Sequence, residues 1–463
     1  MTAITPTTIS TSMKYSLNHL FFAILLGAST LSITACNDLL EPTPVQQLAD
    51  DKAITDAGSA RSATIGVYDR VQAYYQLNWP VLGFLPGDNV RFNGTLNQFL
   101  QIDQNQLSAD NVLITEAWTQ MYQAVNGANN VLAALPAIND PLLPAAEKNQ
   151  LLGEAYFLRA LVYFDLGRGW GGVPLVLTPT RTKENGAGQG RSTLAQTYDQ
   201  VLADLTQAES LLPETATRNR AVKAAARALR ARLHLYRQQW SEAETYATQV
   251  IGSSNYRLVT PYRAISTAPF LSQESVLELT FSNSDANSMW NNWFPSALGG
   301  QFNFQPLPTA ITLLNDPTTG GSRAALLAST TINGSSVTYG NLYSRSAQRD
   351  DPSYVLRLAE QYLIRAEARA KQNKLNDALN DLNAVRARAG VEPSKAATAE
   401  ALLLAIENER RVEFAFEADR WFDLVRTGRA GTVLGVTDQR RWLFPIPFND
   451  LVADRSLEQN PGY

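Results

Sequence analysis

Residues 409–426 carry the densest chemistry in the chain. Glu409, Glu413, Glu417, Asp419 and Asp423 alternate with Arg410, Arg411, Arg420 and Arg426, among Val412, Phe414, Phe416, Trp421, Phe422, Leu424 and Val425. Two carboxylates held ~5 to 10 Å apart would serve a glycosidase. Read as one helix, the segment places Glu413, Glu417, Arg420 and Leu424 on one face. The apolar residues cover more than one face, so the helix is buried, and its charges then need partners because an unpaired buried charge costs several kcal/mol. Each acid has an arginine within one turn, whereas a catalytic acid with a raised pKa needs the opposite surroundings. The expected role is an internal ion-pair network.

Residue counts exclude other chemistries. The chain has one Cys, Cys36, and two His, of which His19 lies in an N-terminal leader. A Ser-His-Asp triad would have to use His234, which sits among Leu233, Leu235 and Tyr236 and reads as a packed residue. A His-rich zinc site is excluded, and there is neither a P-loop nor a dinucleotide fingerprint. A net charge of −4 gives no nucleic-acid footprint. The doublets Arg410-Arg411 and Arg440-Arg441 are read as scaffold pairing or solvated charge.

Two segments interleave flat rings with side-chain amides. The first is Ser288-Met289-Trp290-Asn291-Asn292-Trp293-Phe294-Pro295 with Gln301-Phe302-Asn303-Phe304-Gln305; the second is Tyr74, Tyr75 and Trp79 followed by Asp88-Asn89-Val90-Arg91-Phe92-Asn93. A sugar offers an apolar C–H face to a ring and a rim of hydroxyls to amides, carboxylates or guanidinium groups. Trp290, Asn292, Trp293, Phe294, Trp79, Asp88, Asn89 and Arg91 are therefore the candidate ligand-binding residues. The alternative is that the same rings form the core of their own region.

The elements that must position these residues are mostly helical. Helical spacing is expected over residues 53–77, 111–135, 145–167, 192–212 (with Ser192 as N-cap), 220–238, 240–251, 354–373, 375–389 and 399–426. Residues 252–352 are rich in Gly, Ser, Asn, Thr and Pro, with β-prone runs such as 276–281, and read as an irregular lobe inserted into the helical scaffold. Residues 443–463 read as extended. Aligning Ala231 with Ala366 also aligns Trp240 with Leu375, Ala243 with Ala378 and Val250 with Val385. A small residue recurring twelve positions after the first is the spacing of a tetratricopeptide-type hairpin, in which antiparallel helices approach closely at small side chains. Ala160 with the helix from Ser192 offers a third copy.

At the N-terminus, Lys14 precedes the apolar run 20–31, too short to span a bilayer, and Thr34-Ala35-Cys36 resembles a lipobox. Met13 is an alternative start to Met1. The organisation expected is a signal peptide over 1–35, a lipidated tether over 36–50 beginning at Cys36, an N-terminal helical scaffold over 51–251, a ligand-binding lobe over 252–352 and a C-terminal scaffold with its tail over 353–463. The fold class is mainly α, an α–α superhelix of tetratricopeptide-like hairpins with the loop-rich lobe inserted.

Several motifs in order resemble the SusD/RagB family, the starch-utilisation-type outer-membrane lipoproteins of Bacteroidetes. They are the lipobox at Cys36, Glu154-Ala155-Tyr156-Phe157-Leu158-Arg159-Ala160 running on to Gly171-Gly172-Val173-Pro174-Leu175, Tyr362-Leu363-Ile364-Arg365-Ala366-Glu367-Ala368, Leu382 to Gly390, Glu409 to Arg426, Pro445-Ile446-Pro447 and Gln459-Asn460-Pro461-Gly462-Tyr463. Departures are Asp450, where the family often has Glu, and Asp454-Arg455, where it often has Asn-Pro. The resemblance implies a surface protein that binds oligosaccharide or another nutrient, such as a peptide, and hands it to a TonB-dependent transporter without transforming it. It implies no catalytic residue and no cofactor beyond the lipid on Cys36. Calcium, which some members carry, has no recognisable ligand loop here. The competing classes are a carboxylate glycosidase and a protein-binding tetratricopeptide scaffold.

Overall fold

Side-chain caps satisfy the first free amides at the starts of four of the described α-helices. The computed structural model describes residues 53–182 and 188–463. The expected signal peptide, both candidate start residues, the tether over 36–50 and Cys36 lie outside the described residues. Helix α1 (Ala57–Tyr75) opens with a reciprocal Asp56–Ser59 capping box. It is followed by α2 (Asn78–Phe84), strand β1 (Val90–Phe92), α3 (Asn97–Asp103) and α4 (Val112–Ala134), the last capped by Asn111. Helix α5 (Ala145–Trp170) runs one residue past the first expected breaker, Gly169. Helix α6 (Leu194–Leu211) is capped by Thr193, not the expected Ser192, because Thr193 and Gln196 form the capping box.

Helices α7 (Lys223–Tyr236) and α8 (Trp240–Ile251) form a hairpin, followed later by the α11 (Leu358–Lys371) and α12 (Leu375–Arg388) hairpin. The small residues that align between them, Ala231, Ala243, Ala366 and Ala378, are all fully buried. Ala231 and Ala243 share a cluster with Ile364 and Ala368 of α11, so the first hairpin stacks on the second. Ala366 and Ala378 pack with Leu363, Leu382, Leu402 and Ile406, carrying the stack into α13 (Ala399–Glu413). This is the tetratricopeptide-like superhelix, in which each hairpin buries its face against the next.

Between the hairpins, β2 (Ser275–Leu279), α9 (Met289–Trp293), β3 (Phe304–Pro306), α10 (Pro308–Asn315), β4 (Leu327–Ile332) and β5 (Ser335–Gly340) occupy the region expected to be an irregular lobe. Two strand pairings stitch the lobe to the scaffold. Strand β3 pairs antiparallel with β1, and β2 pairs antiparallel with β6 (Ser353–Arg357). The second pairing corrects the expected helix over 354–373, whose first residues are strand: Leu358 N–H donates to Glu274 C=O and only there does the helix begin. The tail contains a short helix, α16 (Phe448–Ala453), where extended chain was expected.

The expected helix over 399–426 is also corrected. It stops at Glu413 and resumes as α14 (Arg420–Arg426), followed by α15 (Ala430–Leu434). Arg410 Nη2 donates to both carboxylate oxygens of Asp419, at 2.7 and 2.8 Å. In an unbroken helix nine residues would separate these groups by ~13 Å of rise, so the pair holds the break closed. The break also brings Ala418 against Gly83 of α2, where a Cβ would stand 2.5 Å from the Ala418 Cα.

The ion pairs themselves are internal, as expected, but most partners come from elsewhere in the chain. Glu413 accepts from Arg323 (2.7 Å) and Arg357 (2.8 Å) and also from Arg388. Arg357 reaches Glu274 at 2.8 Å and Glu417 at 2.6 Å, and Arg323 bonds Glu409. Burial acts to raise the Glu413 carboxyl, yet the guanidinium groups of Arg388, Arg323 and Arg357 outweigh it and pull it down to about 2. For Glu417 burial wins over Arg357 and pushes it up to about 7. His234 is buried, its ring stacked on Tyr246 and its Nδ1 2.6 Å from Gln239 Oε1. Of the basic doublets, Arg410 is buried, Arg411 bonds Asn89, Arg440 pairs with Asp438 and Arg441 lies over the Tyr463 ring.

Candidate functional site

The β1–β3 ribbon is short, and its alternation decides what it shows. Val90 opposes Pro306, Arg91 opposes Gln305 and Phe92 opposes Phe304. Successive strand residues point to opposite faces. Val90, Phe92 and Phe304 accordingly point into the core, while Arg91 is exposed and Gln305 half-exposed. Arg91 Nε donates to Gln305 Oε1 at 2.9 Å. The ribbon continues past its strands: Asn93 N–H donates to Asn303 C=O at 2.7 Å, and Asn93 Nδ2 donates to Phe302 C=O at 3.1 Å. The two ring-and-amide segments, some two hundred residues apart in sequence, thus meet along one edge.

Amide bonds extend this edge to α9. Asn303 Nδ2 donates to Asn292 Oδ1 at 2.9 Å and to Gln301 Oε1 at 3.0 Å, and Gln301 N–H donates to Asn291 C=O at 2.7 Å. Phe302, half-buried, has φ +55°, a left-handed conformation uncommon for a bulky residue. Such strain persists where surrounding structure holds it and clusters at ligand-contacting positions. Trp290 is half-buried, edge-on to Phe294 at 5.8 Å, and its indole Nε1 has no acceptor among the described residues.

Asp103, the last residue of α3, adds a titratable group. Burial pushes its carboxyl up to about 6, against the Phe92 N–H and the nearby Arg91 charge, which pull it down. Nothing in the sequence around Asp103 marked it, because only the tertiary approach of α3 to β1 sets its surroundings.

The candidate residues divide three ways. Trp79 and Trp293 are corrections: both are core. Trp79 is fully buried and stacks on Phe422 at 4.5 Å with the Arg168 guanidinium 4.9 Å from its ring. Trp293 packs on Phe416 (4.7 Å), Phe84 (5.4 Å) and Phe304 (5.6 Å). Asp88 and Asn89 are anchors, not rim groups. Asp88 accepts from Arg420 at 2.7 and 2.9 Å; burial acts to raise its carboxyl, while Arg420 and Arg411 hold it lower. Asn89 donates to Arg411 C=O and accepts from Arg411 Nε, each at 2.9 Å. Asn292 and Phe294 are nearly buried and brace the edge from behind, the former through Asn303 and the latter between Trp290 and Tyr339. Arg91 and Trp290 remain accessible, joined by Asn93, Gln301, Phe302 and Gln305.

This face presents a guanidinium, several amides and parts of two rings, an arrangement suited to holding hydroxyls and an apolar sugar face. The carboxylates of 409–426 considered for hydrolysis face arginines inside the scaffold and do not reach the ribbon.

A family model described as starch-binding and associating with the outer membrane matches residues 61–235, and the SusD family model matches residues 331–437, together more than half the chain. SusD-like protein P38 of Formosa agariphila is 24% identical over 97% of this chain and 100% of its own. The starch-binding protein SusD of Bacteroides thetaiotaomicron is 32% identical over a shorter stretch, 27% of this chain and 24% of its own. Among solved structures, a SusD superfamily protein from Bacteroides vulgatus superposes with a TM-score of 0.78 at 25% identity, covering 88% of this chain and 99% of its own. A laminarin-binding SusD-like protein superposes with a TM-score of 0.77 at 24% identity, covering 88% of this chain and 100% of its own.

Proposed function

The chain belongs to the SusD/RagB family, and from that premise we propose that it is a nutrient-binding lipoprotein of the outer membrane, anchored through a lipid on Cys36. It captures a glycan on the β1–β3 face and delivers it to a TonB-dependent transporter. The observation that carries the binding half is the ribbon itself: it buries Val90, Phe92 and Phe304 while setting Arg91 and Gln305 side by side on the outside. Sugar selectivity would then come from the amides around Phe302 and the ring of Trp290, with long polymers favoured because several weak contacts add along a chain.

Calorimetric titration with laminarin and soluble starch tests the binding half. Saturable heat that Arg91→Ala and Trp290→Ala both diminish supports it; binding indifferent to both variants removes the face from consideration, and polymer turnover by the isolated protein would make it an enzyme. For the delivery half, the native protein is to be solubilised from its membrane. Co-purification of a large outer-membrane barrel and a diacylated Cys36 in mass spectrometry are expected; an unmodified thiol on a cytoplasmic protein would reject the reading.

A further inference from the structure

A concavity lies away from the ribbon. Residues of α4, of the segment 174–180 and of α16 with its following tail enclose a cleft of about 690 Å³. No residue of the β1–β3 edge lines it. Its size falls within the ~300–1,000 Å³ of small-molecule sites.

The walls are fixed before any ligand arrives. Tyr122 donates its hydroxyl to Pro174 C=O at 2.9 Å and lies 4.9 Å from the Trp118 ring. Trp118 is nearly buried and its indole hydrogen-bonds the Asp450 carboxylate. Asn126 is clamped by the Thr180 backbone, accepting from its N–H at 2.8 Å and donating to its C=O at 3.3 Å. Among the described residues, that leaves the amide one N–H and a second acceptor lone pair for a ligand. Thr119, Gln123 and Gln189 add hydroxyl and amide groups. Among the described residues, the charged side chains lining the cleft are Asp450 and Asp454.

That composition selects a ligand class. Two carboxylates in the lining disfavour uronates, sulfated sugars and phosphates. A half-open tyrosine beside a tryptophan accepts an apolar C–H face, and the carboxylates and amides accept or donate to hydroxyls. We propose that this cleft is a second saccharide site, taking a neutral oligosaccharide independently of the β1–β3 face. The proposal rests on the glycan-binding reading for its ligand class alone. A chain held at two places would stay bound longer than either site permits.

Ala453 and Thr119 are exposed and line the cleft, so Ala453→Trp and Thr119→Trp fill it without disturbing the core. Wild type, both filled variants and Arg91→Ala are to be titrated calorimetrically with maltoheptaose, laminarihexaose and xylohexaose, thermal unfolding confirming that each variant is folded. The expected result is that at least one sugar binds wild type and Arg91→Ala, and that both filled variants lose a site or weaken tenfold or more. If binding survives in the filled variants and disappears in Arg91→Ala, the cleft is overturned and the ribbon reading stands. Binding that disappears in the filled variants and is untouched by Arg91→Ala overturns the ribbon reading instead. No saturable heat from any of the three sugars overturns the cleft as stated.

Discussion

Arg91 and Gln305 are 214 residues apart in sequence, yet they oppose each other in one ribbon and share a hydrogen bond of 2.9 Å between guanidinium and amide. A second bond, from Nη2 to the same Oε1, orients the guanidinium of this exposed arginine. Neither side chain supports the core, so truncating either should leave the fold intact.

The first prediction follows. Arg91→Ala removes hydrogen bonds to a charged donor, each worth roughly 1.5–3 kcal/mol, so glycan affinity should fall about tenfold or more, since about 1.4 kcal/mol is one decade. Gln305→Ala should weaken binding less, because the guanidinium stays but is no longer held. Both should keep the melting temperature within a degree or two, as surface substitutions usually lie within about 0.5 kcal/mol. Calorimetry beside thermal unfolding reads both; a large loss of stability would mean the pair is structural.

A second prediction concerns the buried hub. Glu413 is fully buried between Arg323, Arg357 and Arg388. Glu413→Gln leaves three guanidinium groups short of one negative charge, and breaking such a buried network costs roughly 3–5 kcal/mol. Urea unfolding should shift accordingly. A variant as stable as wild type would show that Glu274, Glu409 and Glu417 suffice to balance the arginines.

How much of this was legible in the sequence depended on how local the cause was. The hairpin pair was legible because Ala231, Ala243, Ala366 and Ala378 mark helix crossings through their own size, at fixed spacing. That the charges of 409–426 would pair internally was also legible. Their partners were not, because Arg323, Arg357 and Arg388 reach Glu413 only through the tertiary fold, and the break at 414–419 is held by Arg410 and Asp419, a pair an unbroken helix forbids. The ring-and-amide segments did meet, but a ring in a short helix reads the same whether it turns inward, as Trp79 and Trp293 do, or half outward, as Trp290 does. Alternation over three residues, as in 90–92, is too brief to tell the faces apart.

The third prediction is a pH dependence of stability with a definite sign. The Glu417 carboxyl is raised from 4.5 to about 7 in the folded chain, mainly by burial. Between those values the folded state keeps a proton that the unfolded state has released, so its contribution is fully present below pH 4.5 and is lost as pH rises through about 7. Glu413 has the opposite sign: lowered to about 2, it contributes above pH 4.5 and loses that contribution as pH falls toward 2. Thermal unfolding of Glu417→Gln against wild type isolates the first effect. The variant's melting temperature should fall less between pH 5 and 7 than wild type's, and parallel curves would place the titration elsewhere.

Two glycines should respond to alanine in opposite directions. Gly58 stands exposed in the first turn of α1, where an added Cβ would lie 3.4 Å from the Asp56 carboxylate, an ordinary contact. Gly58→Ala should stabilise by about 0.4–1 kcal/mol by restricting the unfolded chain. Gly83 lies in α2, also a helix, and intrinsic propensity alone predicts the same gain. There, however, the Cβ would fall 2.5 Å from the Ala418 Cα and 2.7 Å from its carbonyl carbon, backbone atoms of the turn between α13 and α14. The backbone cannot rotate aside as a side chain would, and it is tethered by Arg410 to Asp419 and by Arg357 to Glu417. Forced overpacking costs typically 1–3 kcal/mol, so Gly83→Ala should be net destabilising, with a lower midpoint in urea. A stabilised Gly83→Ala would mean that α2 and the 414–419 turn can separate freely, and that the ion pairs beneath them do not fix their distance.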